Sequence, residues 1–187
     1  MILKNLAALC RKNKRIQLYY DESHDVQWAG YGGGFYPMYG IPRVTEEQAM
    51  ILFDVPEDKR RAVHSTEDNF LSKYDLDDSA ADNRVTQHQI SFGTEEGVLY
   101  PVTTSAGIAF YDADAFRPIQ DAASKITLCE RYTEDGDLYL VAMNGMMVEG
   151  VILPTWVNVP RLLNRLAEIC GELEAEMTVK KKKENEA

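Results

Sequence analysis

The feature that most constrains the fold of this chain is a pattern that occurs twice at a spacing of 112 residues. Residues 15–42 and 126–154 each read as strand, polar turn, strand, glycine-containing turn and strand, and each copy ends at a proline. The spacing aligns Gly33 with Gly145. A helix-like segment precedes and follows each copy. The repeat predicts two similar αβββα units, although two unrelated hairpin units with common turn residues would look alike.

Amphipathic helices are predicted on both sides of the first copy. An apolar stripe at helical spacing precedes it, formed by Leu3, Leu6, Ala7 and Cys10. Thr45 and Gln48 form a capping-box pattern, which predicts a helix over residues 46–54. Pro56 suits the first position of another short helix.

The second copy follows a predicted hairpin, residues 89–93 and 98–103, and a further strand at 106–111. Pro118 is expected to begin the helix before this copy, because proline is favoured in the first helical turn. A last helix carries an apolar stripe that either packs on the sheet or pairs between chains, formed by Leu162, Leu166, Ile169 and Leu173.

These patterns predict an α+β protein of two similar αβββα units, with antiparallel sheets covered by helices. The predicted segments are a first unit at 1–62, an acidic polar excursion at 63–88, a central hairpin with the second unit at 89–176, and a disordered lysine-rich tail at 177–187. The excursion is either mobile or draped across the surface, and its few apolar anchors are Phe70, Leu71, Tyr74 and Leu76.

The net charge, the cysteines and the apolar runs of the chain limit which partners and which compartment we expect. The net charge of −10 does not support DNA as a partner, although a locally basic face would still allow it. The three cysteines contain no CxxC pair, which favours free thiols in a reducing compartment over a disulfide or a zinc site. No apolar run is long enough to span a membrane. We therefore expect a cytoplasmic protein with a protein partner or self-association and no membrane contact.

Glycine and aromatic residues are concentrated between positions 28 and 39. The glycines at 30–34 are followed by neither a helix nor a Lys-Ser/Thr pair, so a turn between strands is favoured over a phosphate loop. The alternative is a binding loop for a small ligand or peptide, whose contact residues would be Trp28, Tyr31, Phe35, Tyr36 and Tyr39. The same aromatic density would also suit the edge of a core.

No residue cluster selects an enzymatic reaction, and no pattern requires a cofactor or a metal ion. The aspartates of the acidic excursion lack the spacing of an EF-hand loop, and they are Asp75, Asp77, Asp78 and Asp82. The histidines lie on separate predicted loops, and they are His24, His64 and His88. Ser105 lacks the strand–helix setting of a nucleophile elbow. An enzyme is therefore unsupported, and a hydrolase with a hidden site is kept as the third alternative.

The second copy resembles one subdomain of the DNA sliding clamps. The resemblance rests on a strand, an acidic turn, the strand 137–142, a tight Asn144-Gly145 turn, a strand and an exit at Pro154, and it covers roughly residues 108–169. Through the repeat it extends to residues 1–54. The whole chain is also similar to uncharacterised proteins of Gram-positive bacteria and their mobile elements. The resemblance implies helices on one side of a sheet, ring assembly and contact with DNA.

Two departures from the clamp pattern are visible. Clamp subdomains are longer than half of this chain, and no clamp motif marks a functional residue here. Basic residues that could face DNA on the first and last helices are Lys4, Arg11, Lys12, Lys14, Arg15, Arg161 and Arg165. Acidic residues on predicted helices that would oppose this contact are Glu46, Glu47, Asp121, Glu168 and Glu172. The leading hypothesis is a non-enzymatic interaction or scaffold protein that resembles a clamp accessory in the DNA metabolism of a mobile element.

Overall fold

The computed structural model describes residues 1–77, 83–94, 97–155, 157, 161, 164–172 and 174, with the backbone alone for 122–124. The chain divides into two units, Met1–Thr155 and Trp156–Ala187. In the second unit residues 164–172 are helical, and Leu166 and Ile169 of the predicted stripe are exposed. Leu162, Leu173 and the lysine-rich tail lie outside the described residues.

The first unit begins with a helix and alternates helices with short strands. Its helices are α1 (Leu3–Asn13), α2 (Glu46–Leu52) and two 3-10 helices, η1 (Glu57–Ala62) and η2 (Ala113–Lys125). Its described strands are β1 (Arg15–Asp21), β2 (Val26–Gly30), β3 (Gly34–Pro37), β4 (His64–Glu67), β5 (Asn83–Arg84), β6 (Thr86–Gln87), β7 (Phe92–Gly93), β8 (Val98–Thr104), β9 (Gly107–Asp112), β10 (Ile126–Tyr132), β11 (Leu138–Asn144) and β12 (Met147–Ile152).

The helices follow their local signals with one exception. Three residues of the predicted stripe, Leu6, Ala7 and Cys10, are buried in α1 together with Leu9, while Leu3 is partly buried. α2 starts with the predicted capping box, in which the Gln48 N–H donates to Thr45 Oγ1 at 3.3 Å and the Thr45 N–H donates to Gln48 Oε1 at 2.9 Å. The prediction that Pro118 begins a helix is wrong. Pro118 lies inside η2, which starts five residues earlier at Ala113, where Asp112 Oδ1 accepts the Asp114 N–H at 2.9 Å.

Both three-stranded copies belong to one sheet, which has the order β4-β1-β2-β3-β12-β11-β10-β5. The α+β class is confirmed, but the expectation that each unit keeps its own sheet is wrong. The third strands of the two copies pair with each other, through Phe35 opposite Val151 and Gly34 opposite Ile152. This pairing covers two sheet edges that would otherwise expose unpaired backbone groups.

The repeat holds for the order of elements but not residue by residue. Leu128 packs in the same cluster as Ile16, which lies 112 positions earlier. Trp28 and Leu140, also 112 positions apart, pack in clusters on opposite faces of the sheet. Because side chains alternate between faces, the second strand is displaced by one residue relative to the ungapped alignment.

Different elements cover the two faces of the sheet. α1, α2 and η2 pack on one face, where Leu6, Phe53 and Ile119 join the larger core cluster. The start of the acidic excursion covers the other face, where Leu71 is fully buried against the smaller cluster, and its remaining anchors Phe70, Tyr74 and Leu76 pack beside it. Residues 68–77 of the excursion are therefore draped across the sheet, whereas other parts of the excursion form strands β4, β5 and β6.

The central hairpin was also predicted correctly. β7 pairs with β8 through Phe92 opposite Leu99, and β9 pairs along the whole of β8. Within the described residues, no helix combines the length and the apolar composition needed to cross a membrane.

Candidate functional site

Four of the five aromatic residues that were predicted to form a contact surface lie in the core. Trp28 and Phe35 pack on the face covered by the acidic excursion, and Tyr31 and Tyr36 pack on the helix face. Tyr39 is 43% exposed. Trp28 in β2 and Phe35 and Tyr36 in β3 are directed into the two cores by the alternation of side chains along the strands, and Tyr31 in the turn is also buried, so these four do not form an outer surface. The predicted glycine turn is present, because the Tyr31 N–H donates to the Gly34 carbonyl at 3.3 Å.

Two of the predicted aromatic residues still meet at a small cavity, which we call the Trp28 cavity. Its volume is about 200 Å³, and its lining residues are Asp21, His24, Val26, Trp28, Tyr39, Leu76 and Met147. The Tyr39 hydroxyl donates to the Val148 carbonyl at 3.4 Å. The cavity could hold one side chain or a small apolar group.

The edge of the Trp28 cavity brings Asp21, Ser23 and His24 together, but not as a catalytic triad. His24 Nδ1 lies 2.7 Å from Asp21 Oδ2 and 3.0 Å from Ser23 Oγ. A triad requires the serine and the carboxylate on different nitrogens of the imidazole, so that the ring can carry a proton from one side to the other. Here both groups approach the same nitrogen. The cluster is a hydrogen-bonded turn and provides no activated nucleophile.

The Asp21 carboxylate is stabilised by this turn. Burial raises its pKa, but hydrogen bonds from the Ser23 hydroxyl, from His24 and from the Ser23 N–H lower the pKa by more, so the net shift is downward. Asp21 is therefore ionised at neutral pH and holds the turn between β1 and β2.

The candidate metal ligands that the structure describes do not form a metal site. Among the described residues, no group of three or more His, Cys, Asp or Glu side chains could hold a metal ion. Of the four aspartates in the excursion, Asp78 and Asp82 lie outside the described residues. The backbone oxygens of Asp75 and Asp77 accept hydrogen bonds from the Arg131 guanidinium at 2.7 and 2.9 Å. This part of the excursion thus has a structural contact with β10.

A larger groove lies between the end of α1 and the connection from α2 to η1, and we call it the basic groove. Its volume is about 800 Å³, and its lining residues are Ala8, Arg11, Lys12, Lys14, Asp54, Val55, Pro56, Lys59, Ala62 and Val63. Half of these residues are apolar, and four of the remaining five are cationic. The groove therefore combines an apolar wall with a positive rim on a chain whose net charge is −10.

The parallel pairing of β1 and β4 explains why these cations meet. Arg15 lies opposite His64 in that pairing, and the His64 N–H donates to the Lys14 carbonyl at 2.9 Å. Two parallel neighbours bring together the elements that precede them, which are α1 and η1. Lys14 and Lys59 thus face one groove although they are far apart in sequence.

The four cations of the basic groove differ in their availability. The Arg11 guanidinium donates to the Phe53 carbonyl, and Lys12 Nζ lies 2.7 Å from Asp114 Oδ2. The hydrogen bond to Asp114 is the main cause that raises the pKa of Lys12. Lys14 and Lys59 are exposed and have no ion pair within the described part of the chain. These two ammonium groups are the ones available to an anionic partner.

From the sequence, Lys14 was predicted as a basic residue of the first helix that could face DNA, and the groove was not predicted. The missing information was the parallel strand β4, which lies in the segment that was assigned to the acidic excursion. The available signal was the run Lys59, Arg60 and Arg61, which ends three positions before His64 and places cations close to a strand-forming stretch.

The comparisons with known proteins give no family assignment. No protein-family model, no curated protein and no solved structure matches this chain.

Proposed function

We propose that this protein is a non-enzymatic interaction protein whose basic groove binds an acidic, amphipathic segment of a partner protein. The observation that carries the proposal is that Lys14 and Lys59, at the rim of an apolar groove of about 800 Å³, form no ion pair with any residue that the structure describes. Apolar side chains of the partner would pack against Val55, Pro56 and Val63, while its carboxylates would pair with the rim.

The charge distribution favours a short acidic segment over a long polyanion. The groove is positive but the whole chain has a net charge of −10, so acidic residues outnumber basic ones in the rest of the protein. Charges interact over a Debye length of about 8–10 Å in physiological salt, so a short segment held in the groove meets mainly the lysines. A duplex that extends past the groove would also approach the acidic surface, which lowers its affinity.

Charge reversal in the groove tests this proposal. The probe is a fluorescein-labelled amphipathic peptide with glutamates on one helical face and leucines on the other, and binding is measured by fluorescence anisotropy. Exposed ion pairs contribute about 0.2–1 kcal/mol each. Lys14→Glu with Lys59→Glu removes two attractions and adds two repulsions, so we expect binding about tenfold weaker.

The matched control is the double variant Lys4→Glu with Lys125→Glu, which changes the net charge equally at two exposed lysines outside the groove. It should bind the peptide as the wild-type protein does. Equal loss in both double variants would mean that only the overall charge matters. A wild-type protein that does not bind the peptide at low salt would refute the proposal.

A clamp-like accessory of DNA metabolism is the second candidate. It is favoured by the packing of α1 against η2 on one face of a shared sheet, where Asn5 Nδ2 donates to the Arg117 carbonyl at 2.7 Å and Lys12 pairs with Asp114. In a clamp such helices would face DNA, and Lys4 and Lys125 are exposed on them.

Two measurements separate this candidate from the first. Light scattering over a range of concentrations should give a closed oligomer that persists on dilution if the protein forms a ring. The affinity for duplex DNA should then fall steeply as the salt concentration rises. Lys4→Glu with Lys125→Glu should weaken DNA binding, whereas Lys14→Glu with Lys59→Glu should leave it unchanged. A monomer at every concentration would exclude the ring.

The remaining alternatives have narrower support. A small-ligand or peptide module built on residues 28–39 is supported by the Trp28 cavity, where Trp28 and Tyr39 form part of the lining. A ligand in that cavity should change the fluorescence of Trp28. A hydrolase would find no activated serine at Ser23, because Ser23 and Asp21 both approach Nδ1 of His24.

A further inference from the structure

A third cavity lies beside the glycine turn between β2 and β3, away from the basic groove, and we call it the glycine-turn cavity. Its volume is about 320 Å³, and its lining residues are Asn13, Arg15, Tyr31, Gly32, Gly33, Asp112, Leu153 and Thr155. The ends of α1, β9 and β12 meet the turn here. Small-molecule sites occupy about 300–1,000 Å³, so a ligand of this cavity is small.

The cavity presents a cation on one side. Arg15 is exposed and forms no ion pair within the described residues. Its guanidinium lies over Gly32, since a Cβ atom added at Gly32 would be 3.3 Å from Arg15 Nη1. Gly32 has a φ of +98°, a conformation that favours glycine, and the missing side chain leaves the guanidinium open to the cavity.

The cavity also presents an anion. Asp112 Oδ1 accepts the Asp114 N–H at 2.9 Å, and the Asp112 carboxylate forms no ion pair in the described part of the chain, although its charge helps to raise the pKa of Lys12. Arg15 and Asp112 thus line one cavity without forming an ion pair with each other. A cation and an anion that share a cavity in this way leave room for a ligand that pairs with both.

Two buried polar atoms beside the turn have no hydrogen-bond partner within the described ranges. They are the Tyr31 hydroxyl and Gln17 Oε1. Tyr31 is 6% exposed, and burial raises the pKa of its hydroxyl, while hydrogen bonding with the neighbouring Tyr36 hydroxyl lowers the pKa by less. The Tyr36 hydroxyl donates its proton to the Ala115 carbonyl, so in this arrangement Tyr36 gives no proton to Tyr31. Gln17 Oε1 lies 3.7 Å from the position of a Cβ atom at Gly32. Buried polar groups are normally satisfied, so these atoms indicate water or ligand at the turn.

We propose that the glycine-turn cavity binds a small zwitterion that carries one carboxylate and one ammonium group, as a free amino acid does. Arg15 pairs with the carboxylate, Asp112 pairs with the ammonium group, and the Tyr31 hydroxyl donates a hydrogen bond to the ligand. A phosphate dianion would be repelled by Asp112, and an apolar ligand would leave the polar lining unsatisfied.

The test uses the full chain and three matched sets of probes: free L-amino acids, their N-acetyl derivatives and their amides, each at about 5 mM. Thermal unfolding screens the panel, and calorimetry measures the affinity of the probes that raise the unfolding temperature. We expect at least one free amino acid to bind with saturation. Its N-acetyl derivative and its amide should bind about tenfold more weakly or worse, because each lacks one charged contact.

Arg15→Gln and Asp112→Asn should each weaken the same free amino acid about tenfold or more. The matched controls are Arg61→Gln and Asp135→Asn, which change exposed residues outside the cavity and should leave the affinity unchanged. Failure of every free amino acid to bind would overturn the proposal, and the orphan atoms would then be satisfied by water. Equal binding of the free and N-acetyl forms, or equal binding by Arg15→Gln, would also overturn it.

Discussion

The junction between the two repeat copies can be tested at Gly150 in β12. A Cβ atom at this position would lie 2.8 Å from Tyr36 Cδ1 and 3.3 Å from the Phe35 carbonyl oxygen. Tyr36 is fully buried, and its hydroxyl donates to the Ala115 carbonyl at 2.5 Å. The ring is therefore held at both ends and cannot move away at little cost. Gly150→Ala should overpack the place where β3 and β12 meet.

The magnitude follows from two opposing effects. Overpacking a well-filled core costs about 1–3 kcal/mol. Replacing glycine with alanine restricts the unfolded chain, which returns about 0.4–1 kcal/mol. The free energy of unfolding of Gly150→Ala should thus be about 1–2 kcal/mol lower than that of the wild-type protein.

The matched control is Gly93→Ala in β7, where an added Cβ atom would meet no atom within 4 Å. This variant should be as stable as the wild-type protein or slightly more stable. Urea unfolding followed by far-UV circular dichroism gives both values. If Gly150→Ala were as stable as Gly93→Ala, β3 and β12 could not be packed as closely as described, and the shared sheet would be wrong.

Two further predictions concern the far face of the sheet and the first turn. Leu71→Ala should lower the free energy of unfolding by about 2–4 kcal/mol, because Leu71 is fully buried. The control Ile51→Ala, at a side chain that is 64% exposed, should change it by less than about 1 kcal/mol. Equal losses of stability in urea unfolding would contradict the docking of the excursion on the sheet. The lowered pKa of Asp21 means that its carboxylate stabilises the fold above the unfolded-state pKa of about 4, and this contribution is lost as the pH falls through the folded-state pKa. Asp21→Asn should therefore lose less stability than the wild-type protein between about pH 5 and pH 2, and parallel urea midpoints over that range would refute the assignment.

Local signals in the sequence predicted the elements that depend on neighbouring residues. The stripe of α1, the capping box at Thr45 and the central hairpin each need only a few adjacent positions, and the structure has all three. The position of η2 was mispredicted because Pro118 is tolerated inside a 3-10 helix, while the start at Ala113 depends on the preceding Asp112.

Contacts between distant segments were not predictable in the same way. The pairing of β3 with β12 joins strands that lie far apart in sequence, and the sequence of neither strand indicates which strand it will pair with. The parallel strand β4, which creates the basic groove, was hidden by the polar residues around it. For Trp28 and Tyr36, composition alone could not distinguish a contact surface from a core, because aromatic residues are common in both.

The difference between the two copies bears on how many ligands a chain can hold. In the first copy, the turn between the second and third strands lines the glycine-turn cavity together with Arg15 and Tyr31. In the second copy the corresponding turn carries Gly145, which has open space around it, and Met146, which is 76% exposed. Both copies thus contribute three strands to the sheet, but only the first copy has polar side chains that converge on its glycine turn. Binding at the glycine turn should therefore saturate at one zwitterion per chain, and a measured stoichiometry of two would place the ligand at a feature that both copies share.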